Sequence, residues 1–390
     1  MKNDKVSSHW PIDIYSILFS LTLLLHLFND TEIASGIKLF YIPALAAFVI
    51  TILRFRRKDK VRTCVFLFAI STLFGSLVSP NPDAFGSAIT FTVVIISSLG
   101  VRYVNNRKLI LTANMAIPFA LFLLLGLYYS ASYYRFSGYY NDPNYLCTTL
   151  IAFLYVIFMG MRMVNWKIIQ IAFILEIIII VMLIGFTVSR TGAICVLVLI
   201  IGSYWNFLKS HANYAIVVAA ALMGFLYYSN PEAIQTTRES YERRAESNDT
   251  FESASQYRWS LSVRGVTFIL DHPSYLLLGI GSGSTAQSQK IPDYPPTRHG
   301  DHNSWTSCFT EHGLIGFACF MFILANTFNP LVAKRNGKRR FDMVKLISLM
   351  SVLIFSFSIS MMLYLPFWWL IFCISNRTDE NTTYSLLRSK

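Results

Sequence analysis

The sequence predicts an all-α polytopic membrane protein of about twelve transmembrane helices, with one large outer-face loop between the ninth and the tenth. Three observations carry this. Of 390 residues, 54% are hydrophobic and only 14% are charged, where a soluble domain carries about 25% charged residues. Apolar runs close to a span in length recur from end to end, and each can cross about 30 Å of hydrocarbon. The polar segments between them alternate between basic and non-basic. Backbone N–H and C=O groups find no partner in hydrocarbon, so these runs must be helices. The short alternating strands that a membrane barrel requires are absent from the sequence.

In order, the spans are 11–29, 37–53, 63–79, 84–101, 109–130, 144–161, 167–187, 191–208, 212–229, 304–328, 342–358 and 362–375. The first follows a short basic tail and lacks a small-residue cleavage site, so it reads as a retained span. With the N-terminus inside, the inner loops are RFRRKDKVR from Arg54, RYVNNRK from Arg102, MRMVNWK from Met161, LKSH from Leu208 and AKRNGKRR from Ala333. All are basic. The outer loops are NDTEIASG from Asn29, SPNPDAFG from Ser79, SYYRFSGYYNDPN from Ser132, SRTG from Ser189, and 230–303; the first two hold no Lys or Arg. The positive-inside bias then places both termini in the cytoplasm and accounts for the net charge of +12 without nucleic acid. The chain divides into spans 1–9 (1–229), the outer loop (230–303), spans 10–12 (304–375) and a cytoplasmic tail (376–390). Between the last two spans, a Ser-rich stretch and Pro366 must form a tight hairpin. The six cysteines are scattered with no CxxC pair, which points to neither a zinc site nor a disulfide framework.

The outer segment is the only polar part of any size. AIQTTRESYERRAESND, from Ala233, combines helix formers with opposite charges four apart and predicts a helix. SQYRWSLSVRGVTFIL, from Ser255, spaces its apolar residues as a second helix lying against the membrane. DHPSYLLLGIGSGS breaks into a Gly-rich turn, and KIPDYPPTRHGDHN is loop-like. The segment is too interrupted for an independent catalytic domain and reads as a lid over a membrane cavity.

Basic residues on the outer face run against the charge bias and need a reason. They are Arg135, Arg190 and the arginines of the long loop. Arg190 lies between two apolar runs with almost no loop, where a cation is costly unless paired or functional; its guanidinium fork suits phosphate. Glu176 lies deeper, within AFILEIIII, as packing glue or part of a buried polar network. His302 opens the tenth span. It is either a capping residue or a general base, since its ordinary pKa of about 6.5 suits proton abstraction near neutrality. His299 and Asp301 stand close by, but the Pro- and Gly-rich setting does not support a zinc geometry. GIGSGS lacks the strand and helix of a dinucleotide loop, and no P-loop, kinase set or GxSxG elbow occurs. Arginines and a histidine beside a greasy outer face suit a substrate with a lipid tail and a phosphate-rich head.

Four segments then match one family in order: RFSGYYNDPNYLC (Arg135 to Cys147), SRTG (Ser189 to Gly192), RWSLSVRGVTFILDHPSYLLLGIGSG (Arg258 to Gly283) and HNSWTSCFTEHGLIG (His302 to Gly316). With these the chain resembles the O-antigen ligase and polysaccharide polymerase superfamily of bacterial inner membranes. The resemblance implies a fold of the C-type glycosyltransferase kind. It implies transfer of a glycan from undecaprenyl diphosphate to a sugar hydroxyl at the outer face, with no cofactor, metal or nucleotide sugar. By motif, Arg190 and Arg258 would hold the diphosphate and His302 would be the base. Arg135, Arg264, Asn303 and Glu311 complete the substrate-binding set, with Asn303 and Glu311 orienting the histidine and its helix. Arg264 rivals Arg258 for its role. Thr191 replaces the family's Gly in SRG, and Trp305-Thr306 stands where its HNxxL expects Leu. The implied partners are the lipid-linked glycan donor, a glycan or lipid A-core acceptor, membrane lipids and a chain-length regulator. Polymerase is the favoured activity and ligase the alternative. A lipid-linked oligosaccharide transporter is the non-enzymatic one, although no internal repeat supports it.

Overall fold

The computed structural model describes residues 13–202 apart from 30, 35–36, 55–58, 131–134 and 141; positions 220 and 224; residues 231–294 apart from 247–250; and residues 303–376 apart from 329–330 and 336–337. The helices are α1 (Ile14–Leu25), α2 (Tyr41–Arg54), α3 (Lys60–Leu77), α4 (Ala84–Gly100), α5 (Asn106–Ser130), α6 (Pro143–Met163), α7 (Lys167–Phe186), α8 (Arg190–Gly202), α9 (Pro231–Glu246), α10 (Phe251–Asp271), α11 (Ser304–Phe328), α12 (Met343–Ser356) and α13 (Leu365–Ile374). Six of them, α3 to α7 and α11, are long and apolar enough to cross a membrane; α1, α2, α8, α12 and α13 are shorter apolar helices. The expected span 212–229 lies outside the described residues apart from positions 220 and 224. Two small hairpins join the helices, β1 (Glu32–Ala34) with β2 (Ile37–Lys38) and β3 (Val332–Arg335) with β4 (Lys338–Phe341). The second brackets the Asn336-Gly337 pair, the strongest short hairpin signal in a sequence.

Helix starts follow side-chain capping. Asp13, Asp59, Asp142 and Asp342 each accept from a backbone N–H in the first turn of α1, α3, α6 and α12, groups the helix itself leaves unpaired. α6 is the central helix, with side chains from Leu146 to Phe158 buried without interruption. α13 is buried along its whole length. A helix that is apolar all round belongs in such a centre. The indole N–H groups of Trp368 and Trp369 donate to the carbonyls of Met362 and Phe19 at 2.8 and 2.9 Å, so neither polar tip is stranded in the core.

Polar contacts between loops fall into two sets, one at each end of the bundle. At one end Arg102 pairs with Asp59 and donates to the Ser375 carbonyl. There also Arg162 pairs with Asp342, Lys108 with Asp13, and Asn376 donates to Val101 and Val104. At the other end Ser79, Asn81 and Asp83 meet Ile280, Ser284 and Lys290, and Tyr145, Thr191 and Ser304 meet Ser360, Ser358 and Ile359. The first set is drawn from loops expected inside, the second from loops expected outside. The turn between α12 and α13 differs from the expected hairpin at proline. Pro366 sits in the first turn of α13, where its missing N–H is harmless, and residues 357–364 make the connection instead.

The outer segment is wedged into the bundle rather than laid over it. α9 carries the expected pair of opposite charges four apart, Arg238–Glu242 at 2.8 Å, and its Thr237 meets the Tyr128 hydroxyl of α5 at 3.0 Å. α10 packs on α11. Phe268, Ile269, Ile280, Ile291 and Tyr294 form a small apolar cluster of their own, which holds the following loop against one end of α3, α4 and α11.

Candidate active site

Three helices start on one patch at the end of the bundle expected outside: α6, α8 and α11. Each has a polar side chain over its first turn. Asp142 accepts from Asn144 N at 2.7 Å, Ser189 Oγ from Gly192 N at 3.1 Å, and Asn303 Oδ1 from Trp305 N at 2.9 Å. The three starts are tied together. Ser189 Oγ donates to Asn144 Oδ1 at 2.7 Å, joining the first two sequence motifs across 45 residues. Thr191 Oγ1 reaches Ser358 Oγ at 3.3 Å, and the Tyr145 hydroxyl donates to the Ser360 carbonyl at 3.2 Å. Ser304 Oγ donates to the Ile359 carbonyl at 2.8 Å and accepts from Met361 N at 2.9 Å, while the Trp305 indole donates to Ser356 Oγ at 2.8 Å. Residues 356–361 thus form a common abutment for the three helix starts. N-terminal helix ends present positive dipole and spare N–H groups, the local chemistry that favours an anion.

The loop before α6 lies along the α7–α8 junction. Phe136 N donates to the Phe186 carbonyl at 3.1 Å, and Arg135 Nε to the Thr187 carbonyl at 3.4 Å. Thr187 Oγ1 meets Cys147 Sγ at 3.2 Å and accepts from Ser189 N. Arg135 and Arg190 are therefore neighbours in the fold. Arg190, the first residue of α8, is exposed and makes no ion pair among the described residues.

α11 is two helices spliced at Gly313, whose backbone (φ 65°, ψ −167°) is closed to other residues. The Gly-rich loop closes the break. Ile280 N and Gly281 N donate to the carbonyls of Thr310 and Glu311 at 2.9 and 3.1 Å. Leu314 N and Ile315 N donate to those of Leu276 and Leu277 at 2.9 and 3.3 Å. Four backbone groups freed by the break are thereby satisfied, as an apolar surrounding demands. The strands approach so closely that a Cβ on Gly313 would sit 2.5 Å from the Leu277 carbonyl oxygen, and one on Gly279 2.4 Å from the Glu311 carbonyl carbon. Glu311, 4% exposed, turns its carboxylate onto the same loop and accepts from Gly283 N at 2.9 Å, Thr285 N at 3.2 Å and the Thr285 hydroxyl. Next to it His312 is fully buried between Phe68 and Phe91, with Nδ1 3.0 Å from Thr72 Oγ1.

The expected site residues distribute as follows. Arg135 and Arg190 lie together at the α7–α8 junction, and Asn303 caps α11 on the same patch. Glu311 is enclosed and fully engaged, so it anchors the loop rather than facing a ligand. Arg264 is exposed on α10, opposite the buried row Leu261, Ser262, Gly265, Phe268 and Ile269. The position of Arg258 continues that row at helical spacing. The side chain of Arg258 and all of His302, with Asp301 and His299, lie outside the described residues. Glu176 is buried in α7 with Oε2 unpartnered, away from the patch. Among the described residues no cluster of His, Cys, Asp and Glu could hold a metal. The sequence reading did not single out Asn144, Ser189, Ser304 or Thr285. The signals for the first three were their places within the quoted motifs and as Asn or Ser at the mouths of apolar runs.

Residues 175–321 match the family model described as O-antigen ligase. The match opens within α7, takes in Arg190, Arg258, Arg264, Asn303 and Glu311, and closes beyond the splice in α11. No curated protein matches the chain. The stretch that holds α8, the splice in α11 and the loop between them is thus similar to the O-antigen ligase family.

Proposed function

We propose that the protein transfers a glycan from undecaprenyl diphosphate to a sugar hydroxyl at the outer face of a bacterial inner membrane, as a surface-polysaccharide polymerase. The observation that carries this reading is the convergence of three capped helix N-termini beside Arg135 and Arg190. That patch has the polarity to take up a diphosphate at membrane level. His302 directly precedes Asn303, the cap of α11, which would set the base beside the same patch. In the reaction, His302 takes the proton of the acceptor hydroxyl as its oxygen attacks the anomeric carbon of the donor. The bond from that carbon to the diphosphate oxygen breaks, and undecaprenyl diphosphate leaves. Arg190 and Arg258 stabilise the charge gathering on the leaving group. The register of α10 favours Arg258 over Arg264 for this role, because Arg264 faces away from the packed side.

No step of this scheme calls for a metal, a nucleotide or another cofactor. The active site faces outward, both termini lie in the cytoplasm, about twelve spans cross the bilayer, and the outer loop separates spans 9 and 10. Ligation to lipid A-core is the alternative that uses the same residues with a different acceptor, and a chain-length regulator would act on the polymerase alone. The test is reconstitution of the purified protein in liposomes with undecaprenyl-diphosphate-linked repeat units. A ladder of longer lipid-linked chains is the expected result. Transfer only after lipid A-core is added would establish the ligase instead. No transfer in either case, with folded protein, would overturn both and leave transport.

A further inference from the structure

Beyond α10 the chain runs into the seam between α3 and α11, two helices long and apolar enough to cross a membrane. The part that reaches furthest along α11 is Leu276 to Leu278. The carbonyls of Leu276 and Leu277 accept from Leu314 N and Ile315 N. Leu314 lies ten residues beyond Ser304, the first residue of α11, which is about 15 Å along the helix. On the other side, a Cβ on Gly75 would sit 2.5 Å from the Leu278 carbonyl oxygen, and Gly75 lies within α3 rather than past its end. From Pro273 to Ser284 the chain carries no charged residue. Irregular backbone at such depth survives only where its polar groups are paired inside the protein. Besides the two carbonyls, Leu276 N donates to the Pro273 carbonyl at 3.1 Å and Gly279 N to that of Tyr275 at 2.7 Å. The Ser79 hydroxyl donates to the Ile280 carbonyl. What the loop turns outward is a side chain: Leu277 is 57% exposed, between Phe74 on α3 at 60% and Leu314 on α11 at 46%.

We propose that Leu276–Leu278 is a re-entrant element, a piece of the outer segment set into the bilayer, and that Leu277 completes a surface whose partner is the acyl chains of the outer leaflet. Continuity identifies the partner. Leu277 stands in line with exposed apolar side chains of two membrane-length helices, so it meets what they meet. The surface works as an anchor. The same loop supplies the amides that bind the Glu311 carboxylate, so the first half of α11 is held by an element itself seated in lipid. The proposal needs only that the bundle spans a membrane. It stands or falls independently of the transfer reaction.

The test places a benzophenone amino acid at position 277 of the full chain, in nanodiscs of phosphatidylethanolamine and phosphatidylglycerol, and identifies photo-adducts by mass spectrometry. Position 74, on α3, is the lipid-facing control, and position 289, an exposed glutamine of the outer segment, is the aqueous one. The expected result is phospholipid adducts at 277 as frequent as at 74, and none at 289. Absence of phospholipid adducts at 277 would put the loop in water, and adducts there to a second copy of the chain would name a protein partner; either overturns the proposal. A point substitution gives a second measurement without a bulky probe. Leu277→Asp sets a carboxylate in hydrocarbon, so recovery of folded protein after extraction should fall about tenfold or more, while Gln289→Asp should match wild type. Full recovery of folded Leu277→Asp would also overturn the proposal, because a polar residue in place of an exposed leucine at a wet surface is tolerated.

Discussion

Replacing Glu311 tests the loop that closes the break in α11. Six successive amides of that loop, from Ile280 to Thr285, are all hydrogen-bonded: Ile280 to the Thr310 carbonyl, Gly281 to the Glu311 carbonyl, Ser282 to Ser76 Oγ, Gly283 and Thr285 to the Glu311 carboxylate, and Ser284 to the Gly281 carbonyl. Glu311→Gln keeps the volume and one acceptor oxygen, but sets an N–H₂ group against the second donor. One buried amide is left unpaired, at a cost of about 2 kcal/mol, and Glu311→Ala leaves both unpaired at roughly twice that. If the loop opens as a unit, exchange of its amides accelerates by a factor of about ten for every 1.4 kcal/mol. The expectation is thus roughly thirtyfold faster hydrogen–deuterium exchange over 280–285 in Glu311→Gln, and near a thousandfold in Glu311→Ala. Peptide-level exchange of the purified protein reads this, with peptides of α6 as an internal standard that should not change. Exchange within twofold of wild type in both variants would refute the anchoring role of the carboxylate.

His302→Ala should lower glycan transfer by about 10²–10⁴, the usual contribution of a general base, while thermal unfolding and membrane insertion stay at wild-type values. Arg190→Lys keeps the charge and loses the fork, so a loss of about tenfold or more in kcat/KM is expected from the same liposome assay. Asn144→Ala and Ser189→Ala remove the two ends of one 2.7 Å bond; their effects on unfolding free energy should be coupled by about 1 kcal/mol in a double-mutant cycle, and additivity would show the bond to be idle. Gly313→Ala puts a Cβ 2.5 Å from the Leu277 carbonyl oxygen at a backbone angle that only glycine adopts, so a drop of several kcal/mol in stability is expected, seen as loss of folded protein on extraction.

The membrane character of the chain was legible because it rests on single-residue chemistry. Runs of apolar residues have a length, and loops have a charge, before any tertiary contact forms. The pairing of loops at the two ends of the bundle follows the same charge pattern. The site was legible only in part. Arg190 stood out because a cation between two apolar runs is costly wherever the chain goes. Arg258 and Arg264 lie on one helix, and that the side of α10 carrying Leu261, Gly265 and Phe268 is covered while Arg264 is exposed cannot be read from the sequence. Glu311 read as a member of the binding set that orients the histidine and its helix, because nothing in its neighbourhood along the chain reveals that Gly283 and Thr285 fold back onto it. The same holds for Gly279 and Gly313: each is a plain glycine in sequence, and the reason for both is a single close approach of two backbones.

The two sides of the site are built differently. The first half of α11, 304–312, is short and independent of the rest of the helix because of the break at Gly313. It is nevertheless held at both ends: Ser304 and Trp305 on the 356–361 abutment, Glu311 on the loop, and His312 on Thr72. The residue that precedes its cap is His302. A proton-abstracting group needs its geometry fixed to within a fraction of an ångström, and a nine-residue segment pinned at both ends supplies that more readily than a long span that bends with the bilayer. On the other side Arg190 stands exposed, with no ion pair among the described residues. A cation proposed to follow a diphosphate as a glycan leaves is better left with rotamer freedom. Breaking α11 therefore ties the start of the helix, and with it the cap Asn303, to the loop 276–285 rather than to the second half of the helix.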